Sequence, residues 1–147
     1  MKRSEVRAFI KSGIDALAQT IQFNSGRITE FNSDRDNEYP FVWLVSPRDA
    51  TDYNIGAAPT DNWNIELHIA KKDHAGSKPE EYEAIIDECD EIARALMNQY
   101  RNSLTGGSLV TIDSSDRNPF HHKHADDTTG VILTFTLVGP DNEPICP

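Results

Sequence analysis

Positive charge is scarce in this chain: 14 Lys and Arg stand against 24 Asp and Glu, a formal charge of −10 over 147 residues. Affinity for phosphates comes from basic side chains, so this balance excludes a nucleic-acid clamp and disfavours anionic membrane surfaces. It leaves room for a surface that nucleic acid slides past, where like charge prevents sticking. Cysteine is nearly missing too. Cys89 and Cys146 are the two present, too few for a disulfide framework. Apolar runs stay far below the roughly 18 residues of a membrane span, and M-K-R-S-E-V-R at the start lacks the apolar region of a signal peptide. The expectation is a protein made and kept in a reducing cytoplasm, or in something assembled there. The patterns G-x-S-x-G, G-x-x-x-x-G-K-[ST] and G-x-G-x-x-G do not occur. Gly106 and Gly107 follow a helical pattern rather than opening one, which makes them a helix cap and not a phosphate cradle. No motif points to an enzyme or calls for a cofactor.

What the chain does have is periodicity. Over residues 77–102, Tyr82, Ile85, Ile86, Cys89, Ile92, Ala93, Leu96 and Tyr100 recur at three- and four-residue steps, one apolar stripe of a long helix. Cys89 falls inside that stripe, as a small buried hydrophobe. Glu81, Glu83, Asp87, Glu88, Asp90, Glu91 and Arg94 lie on the other side, in water. Ser77 with Glu80 three residues on reads as a capping box, and Pro79 suits the first turn. The acids gather toward the N-terminal half, with Arg94 and Arg101 toward the other end, as the helix dipole favours. A first helix, capped by Ser4, carries Val6, Phe9, Ile10, Ile14, Leu17 and Ile21 on its inner side. Gly13 either weakens it or lets another backbone approach.

Between the helices the period shortens. Ile21 and Phe23, then Ile28 and Phe31, flank Asn24-Ser25-Gly26 and predict two short extended pieces about a turn. F-V-W-L-V (41–45), a short continuous apolar run after Pro40, reads as a buried strand. In W-N-I-E-L-H-I-A-K, Trp63, Ile65, Leu67 and Ile69 alternate with Asn64, Glu66, His68 and Ala70. Residues 109–112 form a short strand, and residues 131–138 a longer one with Val131, Leu133, Phe135 and Leu137 inward. Residues 46–62 and 113–130 show no period and read as long loops. The predicted fold is α+β: a twisted antiparallel sheet of about four to six strands, two helices on one face, and long inter-strand loops. Residues 1–139 form one domain, and 140–147, with Pro140, Pro144 and Pro147, an exposed tail.

The segment R-N-P-F-H-H-K-H-A-D-D-T-T-G is the one stretch with the look of a site. His121, His122, His124 and Asp126 are donor types suited to a divalent metal, beside Asp127. Adjacent histidines point apart in an extended chain, however, and the spacing matches no zinc motif, so an interface or a solvated turn is the preferred reading. His68, beside Glu66 on the polar face of its strand, is expected to be wet or interfacial, as are Asp73 and His74 in the loop before the long helix. A sheet with an exposed polar face and free edges needs covering, and ring oligomers cover one another's edges. The residues expected to meet a neighbour are Tyr53, Ile55, Pro59, Pro119, Phe120, His121, His122 and His124, with Phe120 as an apolar anchor.

The helix V-R-A-F-I-K-S-G-I-D-A-L, the strands F-V-W-L-V and W-N-I-E-L-H-I-A, the long second helix and V-I-L-T-F-T-L-V follow one another in an order that resembles the tail-terminator and tail-completion proteins of tailed bacteriophages and related neck rings. The resemblance covers nearly the whole chain and is architectural. It implies a structural virion protein, assembled in the host cytoplasm, in a homo-oligomeric ring (hexamer or dodecamer) between tail tube and head connector. DNA would pass through the lumen without specific binding, and no catalytic residue, cofactor or membrane is implied. Two rival readings are a metal-binding module or metal-dependent hydrolase using His121, His122, His124 and Asp126, and a generic cytoplasmic oligomeric adaptor.

Overall fold

The computed structural model describes residues 1–33, 39–52, 58–73, 78–123 and 128–141. In chain order these form α1 (Arg3–Asp15), β1 (Gln22–Gly26), α2 (Ile28–Ser33), β2 (Phe41–Val45), β3 (Arg48–Asp52), β4 (Thr60–Lys72), α3 (Pro79–Ser103), β5 (Thr111–Lys123) and β6 (Thr128–Pro140). The architecture is α+β, as expected, on a single six-stranded sheet ordered β1-β2-β4-β6-β5, with β3 also paired to β4.

The sheet is mixed, which corrects the antiparallel expectation. β2, β3 and β6 pair antiparallel to β4, and β5 to β6, but β1 runs parallel to β2, from Gln22 opposite Phe41 to Gly26 opposite Val45. Asn24-Ser25-Gly26 is therefore strand and not turn. The chain reverses after it through α2, where the sequence suggested a second extended piece. Parallel neighbours need such a crossover, because a tight turn returns the chain antiparallel. The two apolar residues of that piece are three positions apart, which suits a helix better than a strand.

Two strands replace what reads as loop. β3 and the start of β4 lie within residues 46–62, and β5 with the start of β6 occupies most of 113–130. β6 also runs on to Pro140, which stands opposite Thr60, so the strand reaches one residue into the expected tail.

Both long helices cover one face of the sheet. Val6, Phe9, Ile10 and Ile14 of α1 and Cys89, Ile92, Ala93, Leu96, Met97 and Tyr100 of α3 share a core with Val42 and Leu44, the four inward residues of β4 and those of β6. The predicted stripes hold, with Met97 added. At about 25 cal/mol per Å² of apolar surface, burial of this cluster is the main stabilising term of the fold. Tyr100 is its hinge pin. Its hydroxyl donates to the Ile10 carbonyl at 3.0 Å, and its ring lies 5.2 Å from Phe9 and 5.6 Å from Phe135. Gly13 opens the place for that ring: a Cβ there would stand 2.2 Å from Tyr100 Cε1. A side chain, rather than a backbone, is what Gly13 admits.

The caps are displaced from their predicted residues. α3 has Lys78 as its N-cap, so the acid that accepts the cap N–H, at 2.9 Å, is Glu81 and not Glu80. α1 starts after Lys2, whose N–H is accepted by Glu5 at 2.7 Å, and Ser4 lies inside the helix. An acid three residues past the N-cap does this work whatever the N-cap side chain is.

Candidate functional site

The second face of the sheet is divided. At one end Phe41, Trp43, Ala70 and Phe120 form a small buried cluster, with Ile28 of α2, Tyr39, Val45 and Ile132 against it. Phe120, Gly130, Ala70 and Phe41 are register neighbours across four strands. A Cβ at Gly130 would run into the β4 backbone at Ile69 and Ala70, so only glycine fits this point of the register. Phe120, the expected anchor for a neighbour, is only 7% exposed and stands 6.0 Å from the His68 ring. It is part of its own fold.

His68 is also corrected. It is 1% exposed rather than wet, and its Nε2 lies 2.6 Å from Glu66 Oε1. Residues i and i+2 share a strand face, and the cluster around Phe120 closes over the histidine while Glu66 stays at its border. Asp73 is likewise buried rather than solvated, accepting a hydrogen bond at 2.9 Å from Thr129 Oγ1, itself buried. A buried carboxylate must be met by donors, and β6 supplies this one.

The other end of this face is open. Asn64, Glu66, Thr134, Thr136, Ser115 and Asp116 border a concavity of about 380 Å³. Thr136 Oγ1 donates to Asn64 Oδ1 across the strands at 3.1 Å. On its far side runs β5, an edge strand whose residues from Asp113 to Pro119 are all exposed. A register shift after Asp113, with Ser114 at φ 30°, and Pro119 further along interrupt its free edge, the usual means of keeping an edge from indiscriminate pairing.

Two acids of α3 expected in plain solvent are tied to the sheet. Glu88 pairs with Lys71 of β4 at 2.7 Å, and Asp90 lies between Arg94 (2.8 Å) and Arg117 of β5 (3.4 Å). Cys89 is fully buried, and burial, helped by Glu88, pushes its thiol up to about 12. It is unreactive as placed.

Of the remaining residues singled out in the sequence, Pro59 is half-buried and its carbonyl accepts the Asp141 N–H at 2.9 Å. Pro119 is exposed on β5, and His121 is exposed with its ring edge-on to Tyr82 at 5.4 Å. Tyr53, Ile55, His74, His124, Asp126, Asp127 and the side chain of His122 lie outside the described residues. Among the described residues no three His, Cys, Asp or Glu side chains gather as a metal site, and no helix is long and apolar enough to cross a membrane. The feature that sequence reading missed is the long edge strand itself. Its signal was only the exposed, uninterrupted polarity of D-S-S-D-R-N-P, which does not distinguish an edge strand from a loop. Compared with known proteins, the chain matches no family model and no curated protein.

Proposed function

We propose that the chain is a structural subunit of a ring at the neck or tail end of a tailed bacteriophage, joining tail tube to head connector around the DNA path. The observation that carries this reading is a sheet covered by helices on one face and left open along half of the other, beside an edge strand exposed from Asp113 to Pro119. A neighbour of the same kind covers such an edge when subunits close into a ring. The open concavity is shallow in chemistry. Among the described residues it is lined by serines, threonines, Asn64, Glu66, Asp116 and Arg48, with Val45, Ile65 and Phe135 between them, a mixed polar and apolar surface that suits contact with a neighbour. The charge of −10 fits a lumen past which DNA slides. The two long helices predicted from the sequence both lie on one face of the sheet, which leaves the other face for a neighbour.

The test is native mass spectrometry of the purified full chain with negative-stain microscopy. A closed oligomer of one stoichiometry, seen as rings, is expected. A strict monomer at high concentration, both alone and with isolated tail tubes, sinks the reading. The flanking genes are an independent check: portal, capsid or tail genes are expected there, and a metabolic operon would end the proposal.

A further inference from the structure

α3 carries a second stripe, on its outer side. Glu80, Glu83, Asp87, Glu91, Arg94, Asn98 and Arg101 follow one another at three- and four-residue steps, and all seven are exposed. The sign changes once along it. The acidic part, Glu80 to Glu91, is about 16 Å long, and the basic part, Arg94 to Arg101, about 10 Å at the helical rise. The helix dipole explains acids in the first turn and Arg101 in the last, but its influence fades within a turn of each end. It does not account for Asp87, Glu91 and Arg94, nor for a third arginine brought from elsewhere. Arg117 of β5 reaches the same place, and with Arg94, Asn98 and Arg101 it lines a groove of about 420 Å³ between helix and edge strand.

The groove keeps a surplus of positive charge in a strongly acidic protein. Arg94 and Arg117 share one carboxylate, that of Asp90. Asp116, also at the groove, has its carboxylate engaged by the Arg117 N–H and by Asn118 Nδ2, each at 2.9 Å. Among the described residues Arg101 makes no ion pair. The structure thus presents a basic groove and, farther along the same helix, an exposed acidic face long enough to span it. One subunit cannot bring the two together, because they lie on one rigid rod.

We propose that the occupant of the arginine groove is a second copy of this chain, which lays the acidic half of its α3 (Glu83, Asp87, Glu91) against Arg94, Arg101 and Arg117. The inference rests on the ring reading and names the contact within it. Groove and acidic face are different patches, so the contact is heterologous and can propagate from subunit to subunit until a ring closes. It lies beside β5, and so brings a neighbour to the exposed edge.

Two charge-reversed variants of the full chain test it: Asp87→Lys with Glu91→Lys, and Arg94→Glu with Arg101→Glu. All four positions are exposed, so circular dichroism and melting should match the parent. Arg101→Glu alone, which breaks no pair within the subunit, serves if the double variant is less stable. Sedimentation and native mass spectrometry of each variant are expected to show assembly weakened by about tenfold or more. An equimolar mixture should restore it, since each variant's groove then meets an oppositely charged face. General repulsion cannot imitate this, because the two variants change the net charge in opposite directions. If both variants assemble like the parent, or the mixture does not recover, the contact is wrong while the ring stands. If the parent itself is monomeric under every condition, both the ring and the contact fall.

Discussion

Gly13 is the position at which a favourable local change should do harm. In a helix, Gly→Ala normally stabilises by about 0.8–1 kcal/mol, and Gly13 is two residues from the end of α1, where the gain is smaller. Against it stands the ring of Tyr100. A Cβ at residue 13 would be 2.2 Å from Cε1, 2.8 Å from Cδ1 and 3.1 Å from Cζ, well inside the ~3.5–4.0 Å at which carbons rest. The ring has little freedom to retreat, being fully buried between Phe9 and Phe135 with its hydroxyl on the Ile10 carbonyl. Overfilling a tight core costs about 1–3 kcal/mol, so the contact outweighs the propensity, and Gly13→Ala should destabilise by about 1–2 kcal/mol. Urea unfolding followed by circular dichroism measures this as a lower midpoint at unchanged slope. The decisive comparison is made in a Tyr100→Leu background. There the space is vacant, the same substitution should become neutral or stabilising, and the coupling should be about 1–3 kcal/mol. Stabilisation by Gly13→Ala in the parent would mean that the Tyr100 ring yields to the new methyl at no cost, against the clash described.

Two further outcomes follow from burial. Cys89 should resist iodoacetamide in the native protein at pH 8 and react on unfolding, followed on its own tryptic peptide; rapid native labelling would contradict the burial described for it. Because its thiol is raised from 9.0 to about 12 mainly by desolvation, the stabilising term is full below pH 9 and is lost as pH rises from 9 toward 12, where the unfolded chain ionises first. Phe120→Ala should cost about 2–4 kcal/mol by removing a ring from the cluster with Phe41, Trp43 and Ala70; no change in the unfolding midpoint, with assembly lost, would restore Phe120 as an anchor for a neighbour.

What could be read from the residues was whatever repeats. Both long helices, the strand at Phe41–Val45, the alternation through β4 and that through β6 follow from apolar spacing, because burial on one side imposes it. β5 escaped for the opposite reason. It is an edge strand exposed on both sides over Asp113–Pro119, so its side chains carry no alternation, and its pairing with β6 is made by backbone groups of any sequence. The parallel placement of β1 was hidden as well, since a short strand does not encode the direction of its partner. Only the connection does, and it runs through α2.

The candidate surface shows the same limit in another form. His68 and Phe120 each looked available to a partner, one on a polar face and the other in a Pro-led loop. They pack against each other, at a 6.0 Å ring separation, through the register that aligns β4, β6 and β5. A contact of this kind depends on residues far apart in the chain, which no local pattern carries. The outer stripe of α3 differs. Its acidic and basic halves are spaced on one face by the helix itself, so they could be read from the sequence, and appeared there as a dipole effect. Arg117 changes that interpretation. It comes from β5, extends the basic half across two elements, and turns a charge gradient along one helix into a groove with a shape. Dipole compensation would need no second element. A surface built to receive an acidic partner would, which is why Arg117 carries the contact between copies proposed above.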